Sequence, residues 1–327
     1  MIHSGTDRRK TNSGGSQGSC VDPATESALG APADGAVLAL CAVSGVQPQS
    51  LTVDRQMRRY GVPRVAFVNK VDRDGADPLG VCEDLREKLG LNAWAVQLPV
   101  FVEHEFTGVI DLIEGRSVSF AGEFGEKIVY GEVPLDLEAE FRARRRELRD
   151  ALAELDDRMA DHYLNDSEPS AEEFREVIRR ETIALRFVPV LMGSAYKNRG
   201  IQPLLDAVRD YLPSPLDREY SAFDQDASEA EVRLRADPDE PLVMLAFKTD
   251  ETGYDRLTFT RIYQGSLKKS ARILNVNRGR EVRASRFARL HGGELFELDE
   301  AGPGDVIALL GIECVSGGIH AGLPPRF

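Results

Sequence analysis

The sequence predicts an α/β domain built on a parallel sheet and interrupted by an α+β insertion, followed by a small β-barrel domain. Three observations support this prediction. Between residues 34 and 212, short apolar runs alternate with helical patterns, as in βαβ units. Within that region, residues 102–186 break the alternation with short strands and two charged helices. Beyond residue 241, the pattern indicates only strands separated by turn residues, at the spacing of a small barrel.

The parallel sheet is predicted from runs that are apolar without alternation, as expected for strands covered on both faces. Ser50 is the expected N-cap of the first helix, because a serine hydroxyl can accept a hydrogen bond from an N–H of the first turn. The expected order is a strand at 35–43, a helix at 51–60, a strand at 64–68, a helix at 78–89 and a strand at 94–98. Crossover connections between such strands give a parallel sheet.

The insertion is expected over residues 102–186. Its strands are predicted at 106–113, 117–120 and 127–130, and its helices at 135–163 and 170–186. Ser170 followed by Glu173 matches a capping box at the start of the second helix. The parallel sheet then resumes at 187–192, and a helix over 201–211 ends before a proline.

The remaining segments differ in composition. Residues 1–33 are rich in Ser and Gly without hydrophobic periodicity, so we expect a disordered leader. Residues 213–240 are polar and acidic and predict a linker. The β-barrel domain is expected over 241–317, with strands at 242–247, 256–263, 271–276, 282–289 and 305–310. Residues 318–327 are expected to form a tail.

Composition excludes several classes of protein. The chain has 327 residues, 42% hydrophobic and 29% charged, as in a globular protein of two domains. The sequence contains no apolar run of membrane-spanning length and no signal peptide, so we expect a cytoplasmic protein without a membrane partner. The net charge of −13 argues against general nucleic-acid binding. The four cysteines and five histidines lack metal-binding spacing, and the cysteines are expected to be reduced.

The candidate site follows the strand at 64–68. Asn69, Lys70, Val71 and Asp72 stand where that strand ends, and open α/β sheets place ligands at the carboxyl ends of their strands. An aspartate carboxylate can accept the N1–H and N2–H₂ of guanine together, a pair of donors that adenine lacks. Asn69 could reach the major-groove edge of the base, and the stem of Lys70 could cover its plane. The alternative is a solvated loop after a buried strand.

Ser194 and Ala195 follow the strand at 187–192 in the same way. A backbone N–H there could donate to guanine O6, because small side chains allow the backbone to approach closely. The Ser194 hydroxyl could orient Asp72. Alone, Gly-Ser-Ala is typical of any loop, but its pairing with Asn-Lys-x-Asp on another strand of the same sheet indicates a guanine site.

A series of further segments occurs in order along the chain. They are Asp34–Val37, Gly45–Ser50, Tyr60–Pro63, Phe67–Arg73, Gly108–Leu112, Tyr130–Pro134, Gly193–Asn198, Gly200–Ala207 and Leu257–Tyr263. In this series, over residues 34–317, the sequence resembles translation elongation factor G, a family of ribosome-dependent GTPases. The resemblance implies that guanine of GTP or GDP is bound by Asn69, Lys70, Val71, Asp72, Ser194 and Ala195.

The resemblance also implies a domain assignment and a role. Residues 34–212 correspond to the family's GTPase domain, residues 102–186 to its extra subdomain, and residues 241–317 to its second domain, whereas residues 318–327 are unmatched. The family promotes translocation in protein synthesis as a monomer in the cytoplasm, and its partner is the ribosome, through ribosomal RNA and proteins. Arginines between residues 272 and 289 are candidates for contact with ribosomal RNA.

The sequence departs from the family in the phosphate-binding part. It contains neither Gly-x-x-x-x-Gly-Lys-[Ser/Thr] nor the Asp-x-Pro-Gly-His segment that in the family reaches Mg²⁺ and the attacking water. We therefore expect an incomplete GTPase domain in a central fragment without the Mg²⁺ ligands, the phosphate-binding loop or the C-terminal domains. Because phosphoryl transfer depends on Mg²⁺, lysine and backbone amides, this chain alone is expected to bind GTP weakly or not at all and not to hydrolyse it. The alternative function is a non-catalytic ribosome-binding module.

Overall fold

The computed structural model describes residues 33–122, 124–224, 230–252, 255–276, 279–312 and 318–322. The predicted leader at 1–33 therefore lies outside the described residues, apart from Ala33. The chain divides into two compact units. Residues 35–213 form the first unit, and the second contains the residues from 214 onward together with Asp34.

The first unit is built on a four-stranded parallel sheet. Its strands are β1 (Ala36–Cys41), β2 (Arg64–Asn69), β3 (Ala93–Ala95) and β8 (Val188–Met192). Their order across the sheet is β1-β2-β8-β3, and each neighbouring pair is parallel. The central strands β2 and β8 are buried along nearly their whole length, which explains their apolar sequences without alternation. The predicted α/β fold class is confirmed.

Three helices of this unit follow strands of the parallel sheet along the chain. They are α1 (Pro48–Arg59), α2 (Pro78–Leu89) and α6 (Ile201–Tyr211). The prediction that Ser50 is the N-cap of α1 is wrong. Gln47 is the N-cap, and the Ser50 hydroxyl accepts the Gln47 N–H at 3.3 Å from inside the first turn. The earlier start follows from Pro48, whose fixed φ and missing N–H suit the first helical position. α2 has the predicted bounds.

Between β3 and β8 the chain forms a four-stranded antiparallel sheet. In order across the sheet, its strands are β4 (Gln97–Val102), β5 (Glu105–Asp111), β6 (Arg116–Ala121) and β7 (Lys127–Gly131). The single strand predicted at 94–98 is divided, because β3 pairs with β8 whereas β4 pairs with β5. Val96 links the two sheets: its N–H donates to Val190 O and its carbonyl accepts the Leu112 N–H, each at 3.0 Å.

The insertion continues with three helices: α3 (Glu138–Ala153), α4 (Asp157–Leu164) and α5 (Ala171–Ile183). The one helix predicted at 135–163 is divided, because α3 ends at Ala153 and Asp156 caps a new helix, α4, by accepting the Met159 N–H at 3.0 Å. The predicted capping box of α5 is confirmed. The Ser170 hydroxyl accepts the Glu173 N–H at 3.2 Å, and the Glu173 carboxylate accepts the Ser170 N–H at 2.8 Å.

The second unit begins in the segment predicted as an acidic linker, residues 213–240. The structure differs from that prediction, since the segment contains the antiparallel strands β9 (Tyr220–Asp224) and β10 (Ala230–Leu234). Their register places Leu234 opposite Tyr220 and Val232 opposite Ala222. These alternating apolar positions are the signal of a hairpin that the surrounding acidic residues obscured.

The rest of the second unit is antiparallel β structure. Its strands are β11 (Val243–Thr252), β12 (Asp255–Gln264), β13 (Leu267–Lys268), β14 (Arg272–Asn275), β15 (Arg280–Arg283), β16 (Phe287–His291), β17 (Glu294–Glu297), β18 (Glu300–Ala301), β19 (Val306–Leu310) and β20 (Gly318–Gly322). Eight of them form one sheet in the order β15-β14-β20-β11-β12-β19-β16-β17, and β13 pairs with β18. The predicted tail is corrected, because β20 pairs with β11 and β14. Among the described residues the end strands do not pair, so barrel closure stays a prediction.

Candidate functional site

The candidate site lies at the carboxyl ends of β2 and β8. The parallel register pairs Val68 with Met192, so Asn69 and Gly193 leave the sheet side by side. Backbone bonds extend beyond the strands: the Gly193 N–H donates to Val68 O at 2.9 Å, and the Val71 N–H donates to Gly193 O at 3.2 Å. The two loops that carry the sequence-predicted residues are therefore held together by the sheet itself.

Asn69 joins the two loops through its side chain. Its Oδ1 accepts the Lys70 N–H at 2.8 Å and the Ala195 N–H at 2.9 Å. Asn69 therefore ties the two loops together. Because Oδ1 is occupied by two donors, the amide nitrogen of Asn69 is the group left to face a ligand.

Lys70 and Val71 serve the site in different ways. Lys70 is exposed and has a φ of 66°, a left-handed conformation that is uncommon for a residue with a Cβ. Such a conformation at the end of a buried strand is typical of functional loops. Val71 is only 1% exposed, so its side chain packs in the core, and its contribution to the site is the backbone bond to Gly193.

Asp72 presents its carboxylate next to a lysine of the second loop. Its side chain is 11% exposed, and Lys197 Nζ lies 3.8 Å from Asp72 Oδ2. The expected contact with Ser194 is not formed: among the described residues no hydrogen bond joins Ser194 to Asp72. Ser194 Oγ instead accepts the Lys197 N–H at 3.4 Å. Ser194 therefore shapes the loop that carries Lys197, and Lys197 is the group that faces the carboxylate.

The second loop begins at a point of very close backbone approach. A Cβ on Gly193 would lie 2.3 Å from Arg199 O, so only glycine fits there without displacement of the backbone. The Ser194 N–H donates to Arg199 O at 2.8 Å, and the Ala195 N–H is bonded to Asn69. To accept a hydrogen bond here, guanine O6 would therefore have to share one of these N–H donors with its present acceptor or displace that acceptor.

Cys41 ends β1 at the same edge of the sheet, opposite Asn69 in the parallel register. Burial raises the pKa of its thiol, but hydrogen bonds involving Ser44 and Val43 and the charge of Lys70 outweigh burial, so that the pKa lies below its ordinary value. Cys41 and Cys82 are free thiols. The Cys41 thiol thus lies close enough to Lys70 for the lysine charge to contribute to its lowered pKa.

Comparison with known families decides the assignment. Residues 24–214 match the model of the elongation factor Tu GTP binding domain, and residues 241–318 match that of elongation factor G domain 2. The chain belongs to the elongation factor GTP-binding family. The first match spans more than half of the chain and begins inside the predicted leader at 1–33. The inferred resemblance to elongation factor G is confirmed.

Individual relatives agree with the elongation factor assignment. The chain is 50% identical over 284 residues to "Elongation factor G-1, mitochondrial" of Arabidopsis thaliana, covering 87% of this chain and 38% of the relative. It is equally similar to "Elongation factor G" of Rhodopirellula baltica, covering 41% of that relative. A crystal structure of a Thermus thermophilus protein has a TM-score of 0.75 at 26% identity, over 92% of this chain and 42% of that one. The chain thus spans about two fifths of the relatives' length, and no comparison favours the non-catalytic alternative.

The elongation factor family implies guanine-nucleotide binding and Mg²⁺, and these two fit the chain differently. The side chains of Asn69, Lys70 and Asp72 are polar groups of the kind that could hold the base. Mg²⁺ does not fit, because the sequence lacks both family segments that reach the ion, and the described residues contain no group of three or more His, Cys, Asp or Glu side chains able to hold a metal. None of the described helices is long and apolar enough to cross a bilayer.

Sequence reasoning missed Lys197 and Arg199. Both follow the Ser194-Ala195 pair, where charged residues ahead of a helix are usually solvated. The signal that could have found Lys197 is its position two residues after Ala195, in a loop predicted to lie beside Asp72. Nothing local to the sequence indicated that Arg199 reaches another strand.

Proposed function

We propose that this chain supplies the guanine-binding part of a translational GTPase of the elongation factor G type. The observation that supports the proposal most directly is the 2.9 Å bond between the Ala195 N–H and Asn69 Oδ1. It brings two sequence-distant loops together at the edge of the sheet that is followed by Lys70 and Asp72. The family match supports the same ligand.

The proposed recognition assigns one role to each group. The Asp72 carboxylate accepts N1–H and N2–H₂ of guanine, and Lys197, whose Nζ lies 3.8 Å from Asp72 Oδ2, orients that carboxylate. The Asn69 amide nitrogen donates to the major-groove edge, while Lys70 covers the base plane. The Ala195 N–H is shared between Asn69 Oδ1 and guanine O6 in a three-centre bond, and the Ser194 hydroxyl holds the loop backbone.

Base selectivity tests this assignment. Saturation-transfer NMR on the purified chain with millimolar guanosine, inosine and adenosine should give the order guanosine, inosine, adenosine. Inosine lacks N2–H₂ and so offers Asp72 one donor instead of two, whereas adenosine offers neither in the required pattern. Equal saturation transfer to adenosine and guanosine would contradict the proposal.

The phosphates should add little to binding by this chain. Because the sequence contains no phosphate-binding loop, guanosine, GDP and GTP are expected to bind with similar weak affinity. Isothermal titration with the three ligands measures this, and a phosphate-release assay with ribosomes measures turnover. Tight GTP binding or GTP turnover by the 327-residue chain would refute base-centred binding.

We further propose the ribosome as the partner, translocation as the process served, and a monomer in the cytoplasm as the working state. Exposed arginines in the second unit support an RNA contact. Arg286 and Arg289 are engaged with Glu297 at 2.6 Å and Asp305 at 2.7 Å. Arg272 lies 3.9 Å from Glu281, and Arg283 donates to Ser270 O at 3.2 Å, so Arg280 is the better candidate for phosphate. The Arabidopsis relative is named as mitochondrial, so fractionation of cells decides the compartment.

Co-sedimentation tests the partner. Arg280→Glu should reduce the amount of chain that pellets with ribosomes, and the loss should be larger at low salt, because phosphate contacts weaken as salt rises. Arg142→Glu is a matched control, since Arg142 is an exposed arginine of the first unit that already pairs with Glu138 at 2.8 Å. If neither the parent chain nor any variant pellets with ribosomes, the ribosome is not its partner.

A further inference from the structure

The base-binding loop, residues 194–199, is a closed turn between β8 and α6. Two backbone bonds join its ends: the Ser194 N–H donates to Arg199 O at 2.8 Å, and the Arg199 N–H donates to Ser194 O at 3.0 Å. Inside the loop, the Asn198 N–H donates to Ala195 O at 3.2 Å, and Asn198 has a left-handed φ of 52°. A turn closed in this way moves as one piece, so its position depends on what holds its ends.

Arg199 attaches the loop to the insertion. Its Nη1 donates to the carbonyl oxygen of Phe106 in β5, 93 residues away in sequence. Phe106 is 1% exposed, so this carbonyl belongs to a strand fixed in the core. Hydrogen bonds from charged donors are stronger than neutral ones, and arginine keeps its charge at all working pH values. The bond is therefore a durable link between the loop and the antiparallel sheet.

The turn before β7 makes a second contact with the same loop. Gly125 has a φ of 61°, and a Cβ there would lie 2.8 Å from Lys197 O and 3.0 Å from Asn198 O. Gln202, in the first turn of α6, donates from Nε2 to Gly125 O at 3.1 Å. The insertion thus contacts the base-binding loop through both β5 and the turn that precedes β7.

We propose that Arg199 is a positioning residue for guanine binding, through which the insertion fixes the base-binding loop against β2. The inference rests on the proposed guanine function. Arg199 does not touch the base. Its attachment to Phe106 sets where Ala195 meets Asn69 and where Lys197 meets Asp72, at 2.9 Å and 3.8 Å respectively. Loss of the attachment allows the closed loop to shift as a unit, which lengthens both contacts together.

The test measures selectivity as well as affinity. In saturation-transfer titrations, Arg199→Met should weaken guanosine binding about tenfold, equivalent to about 1.4 kcal/mol, and should reduce the preference for guanosine over inosine. Arg199→Lys should recover part of both, because an ammonium can still donate to one carbonyl. A merely stabilising arginine would change the unfolding temperature without changing the guanosine-to-inosine ratio.

A second substitution and a matched control complete the test. Gly125→Ala should also lower the guanosine-to-inosine ratio, since the added methyl group displaces the loop backbone at the contact between Gly125 and Lys197. This variant tests the proposal if Arg199→Met fails to fold. Arg86→Met is the control, because Arg86 likewise donates to a backbone carbonyl, that of Ala93 at 2.9 Å, outside the base-binding loop. It should leave guanosine binding unchanged.

The outcomes separate the inference from the function on which it rests. If the parent chain does not prefer guanosine, the proposed function fails whatever Arg199 does. If the parent chain prefers guanosine and both Arg199→Met and Gly125→Ala retain the parent affinity and ratio, the positioning role is overturned. If Arg86→Met lowers the ratio as much as Arg199→Met, the effect is general and the inference is also overturned.

Discussion

Asn69→Ala should lower the unfolding free energy of the first unit by a measurable amount, because it loosens the candidate site. The substitution removes Oδ1, which accepts the Lys70 N–H at 2.8 Å and the Ala195 N–H at 2.9 Å. A typical hydrogen bond contributes about 1 kcal/mol net to stability. Both bonds lie at the solvent-exposed edge, so water replaces part of the loss and no buried donor is left unpaired. The expected loss in unfolding free energy is about 1–2 kcal/mol, with a fall of about 2–4 °C in Tm per kcal/mol.

Asn69→Asp separates stability from binding. A carboxylate keeps the acceptor at the Oδ1 position, so the unfolding free energy should stay within about 0.5 kcal/mol of the parent value. It removes the amide N–H donors, so guanosine binding should fall at least about tenfold. Asn92→Ala is the matched control, because Asn92 also bonds locally, accepting the Trp94 Nε1–H at 2.7 Å, but precedes β3. It should reduce stability without changing guanosine binding.

The assay can follow the first unit alone. The chain contains one tryptophan, Trp94, which lies on β3. Urea unfolding monitored by its fluorescence therefore reports the unit that holds the site, whatever the second unit does. An Asn69→Ala variant as stable as the parent would refute the loop-joining role, and an Asn69→Asp variant that binds guanosine like the parent would refute the amide donor.

Three further substitutions give separate tests. Asp72→Asn should make the chain prefer xanthosine over guanosine in saturation-transfer NMR. The reason is that an amide N–H₂ can donate to the xanthine O2, which replaces the guanine amino group. An unchanged preference for guanosine would show that Asp72 does not contact the base. Asp54→Ala should lower the unfolding free energy by about 3 kcal/mol, since it leaves the buried Arg64, whose pKa burial already lowers, without its partner; urea unfolding measures the loss. For Asp156, burial raises the pKa, but the hydrogen bonds from Arg180 and from the Met159 N–H, together with the charges of Arg180 and Arg158, outweigh it and lower the pKa. The resulting stabilisation is present at neutral pH and lost as the pH falls through that pKa. Asp156→Asn should accordingly be less stable than the parent at neutral pH and equal to it well below the aspartate pKa, and a constant difference across pH would contradict this linkage.

The parts of the fold that follow from local pattern were predictable. The buried strands β2 and β8 are apolar without alternation, and each ends at an abrupt polar change, so the local pattern alone locates Asn69 and Ser194 at strand ends. Parallel pairing of two such strands must bring their carboxyl ends together. For the same reason α2, which starts at a proline after a capping aspartate, has the predicted bounds.

The parts that were missed depend on contacts between distant residues. No local signal in the sequence marks a strand boundary between Ala95 and Gln97. β3 nevertheless ends at Ala95 and β4 begins at Gln97, because the two strands pair with partners in different sheets. The break between α3 and α4 depends on Asp156, whose capping role competes with a continuous helical pattern. Arg199 was missed because its partner Phe106 is 93 residues away.

Among the described residues, the contacts given above for the candidate site join groups of the first unit, and this separates the proposed base selection from phosphate chemistry. Val71 is bonded to Gly193, Asn69 to Ala195, and Arg199 to Phe106, so these three contacts all lie within residues 69–199. Preorganised groups of this kind set the difference in binding free energy between two bases, whereas phosphate contacts add the same free energy to every nucleotide. Supplying phosphate contacts, in a longer chain or in trans, should therefore raise affinity for GDP and IDP by one common factor. The guanine-to-hypoxanthine ratio would remain the value that Asp72 sets in this chain.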